Sequence, residues 1–226
     1  MNAAMTRVLR SFFVLALFSG PVVGDEIVSP VEDLGNGRYR IGAIEIDKDA
    51  QRFTVTGTTI GLAENTPVEF LAVAKGGYKS YEALLELDVS AVEFNLACIL
   101  IGLDTANASH PKFHFDKTIV TGDIVDVRVS WVRDGREQEF EIERLLQGTA
   151  EPKDHVWVYT GSFFNPDGTY MATMSGTLIG VVHDPESIIQ HQKGIGLGEF
   201  GAIAFDPDVM PPAGTRVTVS VFRNPE

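Results

Sequence analysis

The segment "GDIVDVRVSWV" sets Val125, Val127, Val129 and Trp131 at every second position, with polar or charged residues between them. Two is the side-chain period of a β-strand, and no helix gathers such residues on one face. The closing "TRVTVSVF" has the same rhythm after its glycine, although two amphipathic strands resemble each other without being a repeat. "RYRIGAIEID" keeps Tyr39, Ile41 and Ala43 in one phase, and "RFTVTG" does so with Phe53 and Val55. Asp134–Gly135 supplies a hairpin turn into "EQEFEIERLL", and "NPDG" turns the chain at Asn165–Gly168. The chain is therefore expected to be built mostly of half-buried antiparallel strands.

Other segments qualify that reading. "VEFLAVA" (68–74) reads as a strand buried on both faces, "YEALLEL" as strand or helix, and "TYMATM" and "TLIGVV" as strands. Pro185 is placed to open a short helix, "ESIIQH". In "SAVEFNLACILIGLD", Ser90 and Glu93 form a capping box and Gly102 a stop. Apart from Glu93 and Asn95 the helix between them is apolar all round, which predicts a place in the middle of the protein. The expected fold is α+β, strand-rich, with mostly antiparallel hairpins packed around one buried helix. Residues 1–24 read as a signal peptide, 25–37 as a lead-in segment and 38–226 as a single domain.

Arg7 and Arg10 precede the apolar run Phe12–Phe18, and Val22 and Gly24 are small residues suited to cleavage after Gly24. This is the layout of a secretory signal, and the run is shorter than the roughly 20 residues a membrane helix needs. The expectation is a periplasmic or extracellular protein with no stable membrane insertion after cleavage. Losing both arginines takes the formal charge from −13 to −15. So acidic a body repels phosphate backbones, which argues against nucleic acid as a partner. The single cysteine excludes an internal disulfide, a four-cysteine cluster and a four-cysteine zinc site.

The order of features resembles the YdjY family of exported bacterial proteins. The resemblance rests on "YEALL", the helix ending in "LIG", the strand pair containing Trp131 and Gly135, "WVYTGSFF", "SGTLIGVV" and "PPAGTRVTV", from about Arg40 to Phe222. None of these is a catalytic signature. The resemblance implies an exported domain of unassigned function. Family names that mention selenium metabolism and ferredoxin-like links find no supporting residues, and family members carry histidine where this chain has Asn95.

Few side chains remain as chemical candidates. Cys98 lies mid-helix with no adjacent base, so it reads as a small core hydrophobe. Asn95 must find hydrogen bonds within that helix environment. Glu82, the lone charge in "YEALL", is its expected partner if that segment packs on the helix. The contact is either a structural polar one, the reading favoured from how buried polar networks are generally used, or the lining of a ligand pocket in which Glu82 meets a cation or hydroxyl. His110, His114 and Asp116 in "HPKFHFD" are the candidate metal ligands, against which stand Pro111 and the loop composition. "GLGEFG" (196–201) matches a dinucleotide fingerprint in letters but lacks the strand–helix setting, and no cofactor is expected. The functional expectation is a non-catalytic domain binding an unknown small ligand or an exported protein. The alternative is a metal- or redox-linked accessory enzyme.

Overall fold

The structure is a computed structural model that describes residues 28–147, 155–197 and 203–224. The proposed signal peptide and most of "GLGEFG" lie outside the described residues. The first strands are β1 (Val31–Gly35), β2 (Arg38–Ile41), β3 (Ile44–Asp47) and β4 (Arg52–Thr59), joined as successive antiparallel hairpins. β5 (Phe70–Ala74) and β6 (Ala83–Leu87) follow and pair parallel through a 3₁₀ turn at Tyr78–Glu82. After helix α1 (Ala91–Leu100) come β7 (Asp123–Arg133) and β8 (Arg136–Glu141), a hairpin turned at Asp134 and Gly135, both at positive φ. β9 (Trp157–Tyr159), the short helix α2 (Met171–Ser175), β10 (Thr177–Gly180), β11 (Ile189–His191) and β12 (Arg216–Arg223) complete the chain.

The sheet closes on itself. Its hydrogen-bonded order runs β4–β12–β7–β9–β11–β10–β5–β6, and β6 returns to pair with β4 through Gly57↔Leu87, Thr58↔Glu86 and Thr59↔Leu85. Eight strands thus form a barrel, to which β1–β3 and β8 are added at the edges. This overturns the expectation of hairpins around a buried helix. Alternating valines define a strand's inner face, but they do not reveal whether that face meets a helix or the far wall of a barrel. Here they meet the wall. The buried rows Phe53–Val221–Val127 and Val55–Val219–Val129 run across β4, β12 and β7 and point into the barrel.

α1 lies at one end of that barrel, where β5, β6, β9 and β12 finish and β4 and β7 begin. Its capping box is formed: Ser90 Oγ accepts the Glu93 amide at 3.2 Å, and Glu93 returns a carboxylate oxygen to the Ser90 amide at 2.9 Å. Ala91, Phe94, Ala97 and Cys98 make a buried stripe at helical spacing, and the Phe94 ring packs edge-on against Phe53 at 5.2 Å. Ile99, on the opposite side, is 51% exposed. An all-apolar helix surface has therefore been given one buried face and one solvent face. "TYMATM" yields α2 rather than a strand, and "ESIIQH" yields turns and β11 rather than a helix, because β11 fills the place between β9 and β10.

Candidate functional site

β5 is buried along its whole length. Leu71, Ala72 and Ala74 join the main core, whereas Phe70 and Val73 form a separate small cluster with Ala83. Two cations lie over Phe70: the His114 ring is 6.4 Å away centre to centre, and the Lys79 ammonium is 5.6 Å from the ring centre. Neither is unpartnered. His114 donates from Nε2 to Glu69 at 2.9 Å and from Nδ1 to Asp184 at 3.3 Å. Those carboxylates are only 6% and 7% exposed, while the imidazole between them is 34% exposed. Glu69 immediately precedes β5, Asp184 lies between β10 and β11, and His114 sits in the loop from α1 to β7.

The electrostatic consequence is large. Hydrogen bonds to Asp184 and then Glu69, outweighing burial, raise the His114 pKa to about 9. At neutral pH the ring is an imidazolium with both N–H groups in use. The next residue, Phe115, holds φ at +64°, which is rare for a bulky side chain, and its ring meets the His114 ring edge-on at 4.4 Å. Lys79 and Glu82 form an adjacent pair at 2.8 Å. Burial works against the ammonium there, yet the hydrogen bond and charge of Glu82 prevail and raise its pKa. The Glu186 carboxyl is pushed up by burial and by the charge of Asp184, against a hydrogen bond from Ser175. Around this charged set Tyr78, Tyr81 and Phe113 are exposed, the two tyrosines edge to face at 6.2 Å.

Such an arrangement has limited chemistry. A histidine acts as general base or metal ligand through a free lone pair, and an imidazolium has none. What the surface does offer is fixed charge, hydrogen-bonding capacity and aromatic area.

A family model described as "YdjY domain" matches residues 44–222. The chain belongs to the YdjY domain family. No curated protein and no solved structure matches it significantly. Among the described residues of this YdjY domain, no helix is long and apolar enough to cross a membrane.

The residues singled out in the sequence are dispersed in the YdjY domain. Glu82 is beside the His114 set, paired with Lys79. Asn95 faces the barrel end instead, where its Oδ1 accepts the buried Tyr159 hydroxyl at 2.7 Å. His110 donates from Nε2 to the carbonyls of Thr160 and Ser162 at 2.8 and 3.0 Å. Asp116 accepts the Lys112 amide and both the amide and hydroxyl of Thr118, which hold its carboxyl down to about 2. His114, His110 and Asp116 thus serve three separate sets of partners, and the described residues contain no group of three His, Cys, Asp or Glu side chains disposed to hold a metal ion. Sequence reasoning missed Glu69, Asp184 and Glu186. Glu69 left a signal, being the one charge in the otherwise apolar "VEFLAVA".

Cys98 is 0% exposed, and burial pushes its thiol well above the usual range. Native protein is expected to resist a bulky maleimide for hours and to label promptly once denatured. Prompt labelling of the folded state would place the sulfur at the surface and reopen it as a nucleophile.

Proposed function

We propose that this YdjY domain is an exported, non-catalytic binding domain that meets an exported protein partner on the face around His114. The observation that carries the reading is the clamp itself: two buried carboxylates fix His114 in its charged form. That denies the face a histidine general base at neutral pH while giving it a rigid pattern of charge. Exposed Tyr78, Tyr81 and Phe113 beside that pattern supply the aromatic area on which protein interfaces concentrate their affinity. The arginine-bearing apolar N-terminus supports export.

The test has two parts. The mature chain recovered from the exported fraction should begin at Asp25, and recovery only of cytoplasmic protein retaining residues 1–24 would remove the export half of the reading. A Tyr81→Ser, Phe113→Ser variant should melt like the parent, since both side chains already face water, yet retain at least tenfold less of whatever exported protein the parent captures. Equal capture by both would show that this face is not the docking surface.

A further inference from the structure

At the barrel end away from α1, β4 leads into Ile60 and β6 begins at Ala83. A groove crosses this end. Its larger part, of about 360 Å³, is lined by Ile60, Leu62, Phe205, Met210 and the Pro211–Pro212 pair, among ten residues of which none carries a charge, hydroxyl or amide on its side chain. Ile60, Leu62, Phe205 and Met210 are half-buried and Pro207, Pro212 and Ala213 exposed, so this part opens to water and not into the barrel core. Its size falls within the roughly 300–1,000 Å³ usual for a small-ligand pocket. A second part, of about 210 Å³, shares Phe205 and Pro207 with the first and adds Glu64, Asn65 and Gln147. The groove therefore has an apolar end and a polar end, and the polar end holds one carboxylate, two amides and no cation.

Both walls are fastened in place. The Pro212 carbonyl accepts the hydroxyls of Thr59 and Thr215, each at 2.6 Å, and the Thr215 amide returns to Thr59 Oγ1 at 3.0 Å. On the other side Leu146 bridges Phe205, while the Asp206 amide donates to the Leu145 carbonyl and the Met210 amide to the Asp206 carbonyl, both at 2.8 Å. A groove already held in shape takes up a ligand with little ordering cost.

We propose that this groove binds a single-chain amphiphile with an uncharged, hydroxyl-bearing head. The hydrocarbon chain lies along Ile60, Leu62, Phe205 and Met210, and the head donates to Glu64 and to the amide oxygens of Asn65 and Gln147. Charge selects the head. A carboxylate or phosphate would meet Glu64 with no cation beside it, on a chain of formal charge −13. Nor can a charged head turn round into the apolar end, where nothing would compensate its lost hydration. Three separate acceptor groups suit several hydroxyls better than one point charge. This site does not depend on docking at the His114 face.

Monodecanoylglycerol is the probe, titrated below its micelle concentration into the full mature chain and followed by calorimetry. Saturable binding is expected, with decanoate and decylamine, which carry the same length of chain, each at least tenfold weaker. Ala213→Asp, at an exposed position, sets a carboxylate at the apolar end and should weaken the glyceride at least tenfold while melting like the parent. Gln147→Lys, also exposed, supplies the missing cation and should raise the affinity for decanoate. No saturable binding of the glyceride, or undiminished binding by Ala213→Asp, would overturn the site. Equal or tighter binding of decanoate or decylamine to the parent, or no gain for decanoate in Gln147→Lys, would overturn the assigned head. Sedimentation of the parent as a dimer that Ala213→Asp dissociates would give the groove to a second copy of the chain and overturn the proposal.

Discussion

His114→Leu should cost the YdjY domain about 3–5 kcal/mol, the usual result of removing one partner from a buried charged set. For a chain of this size that lowers the melting temperature by roughly 10 °C. The cause is not the lost imidazole packing but what remains: Glu69 and Asp184, nearly inaccessible to water, with no donor between them. Adding Glu69→Gln and Asp184→Asn to His114→Leu should therefore recover much of the loss, although it removes more native hydrogen bonds. The pH dependence has a definite sign. Because the folded pKa of His114 is raised to about 9 from an unfolded value near 6.5, its contribution is complete below about pH 6.5 and is lost as pH rises through 9. The deficit of His114→Leu against the parent should thus be greatest near pH 6 and should narrow as pH rises. Urea unfolding at pH 6, 7.5 and 9 measures this, and a deficit constant across the window would mean that His114 is not the charged centre of the cluster.

The strands that alternate, β4, β7 and β12, were legible because period two is a local property and Asp134–Gly135 announces its own turn. So was the capping box, whose two residues are three apart. The closure was not legible. β4 meets β6 and β10 meets β11 through pairings that nothing in either segment encodes alone, and the parallel β5–β6 pair contradicts the hairpin expectation outright. The same limit hid the site. Glu69 and Asp184 are 45 and 70 residues from His114, so local spacing pointed instead to its neighbours His110 and Asp116, which the loop uses to bind its own backbone and that beside β9. The apolar surface of α1 misled for a different reason. Composition says that a helix avoids water, but only the 91–94–97–98 stripe says which side does so.

Gly57→Ala tests the closure at its seam. On one edge β4 is paired first with β3, up to Val55, and then with β6 from Gly57 onward; on its other edge it is paired with β12 throughout. A Cβ at Gly57 would overlap the Glu86 carbonyl oxygen and lie 2.7 Å from Leu87 Cδ2. Neither strand has room to retreat, because β6 is held by β5 on its far side, with Leu87 opposite Ala74, as firmly as β4 is by β12. The added methyl must force the seam apart, at about 3 kcal/mol or more by analogy with overpacked cores. Amide exchange at Leu85–Leu87 should quicken while β7 and β12 remain protected. Gly135→Ala is the matched control: its φ of +72° makes alanine strained, by about 1–2 kcal/mol, but no atom lies within 4 Å of the new methyl. If Gly57→Ala were no more harmful than Gly135→Ala and left exchange at β6 unaltered, β4 and β6 would not be neighbours, and the sheet would be open where its closure requires a glycine.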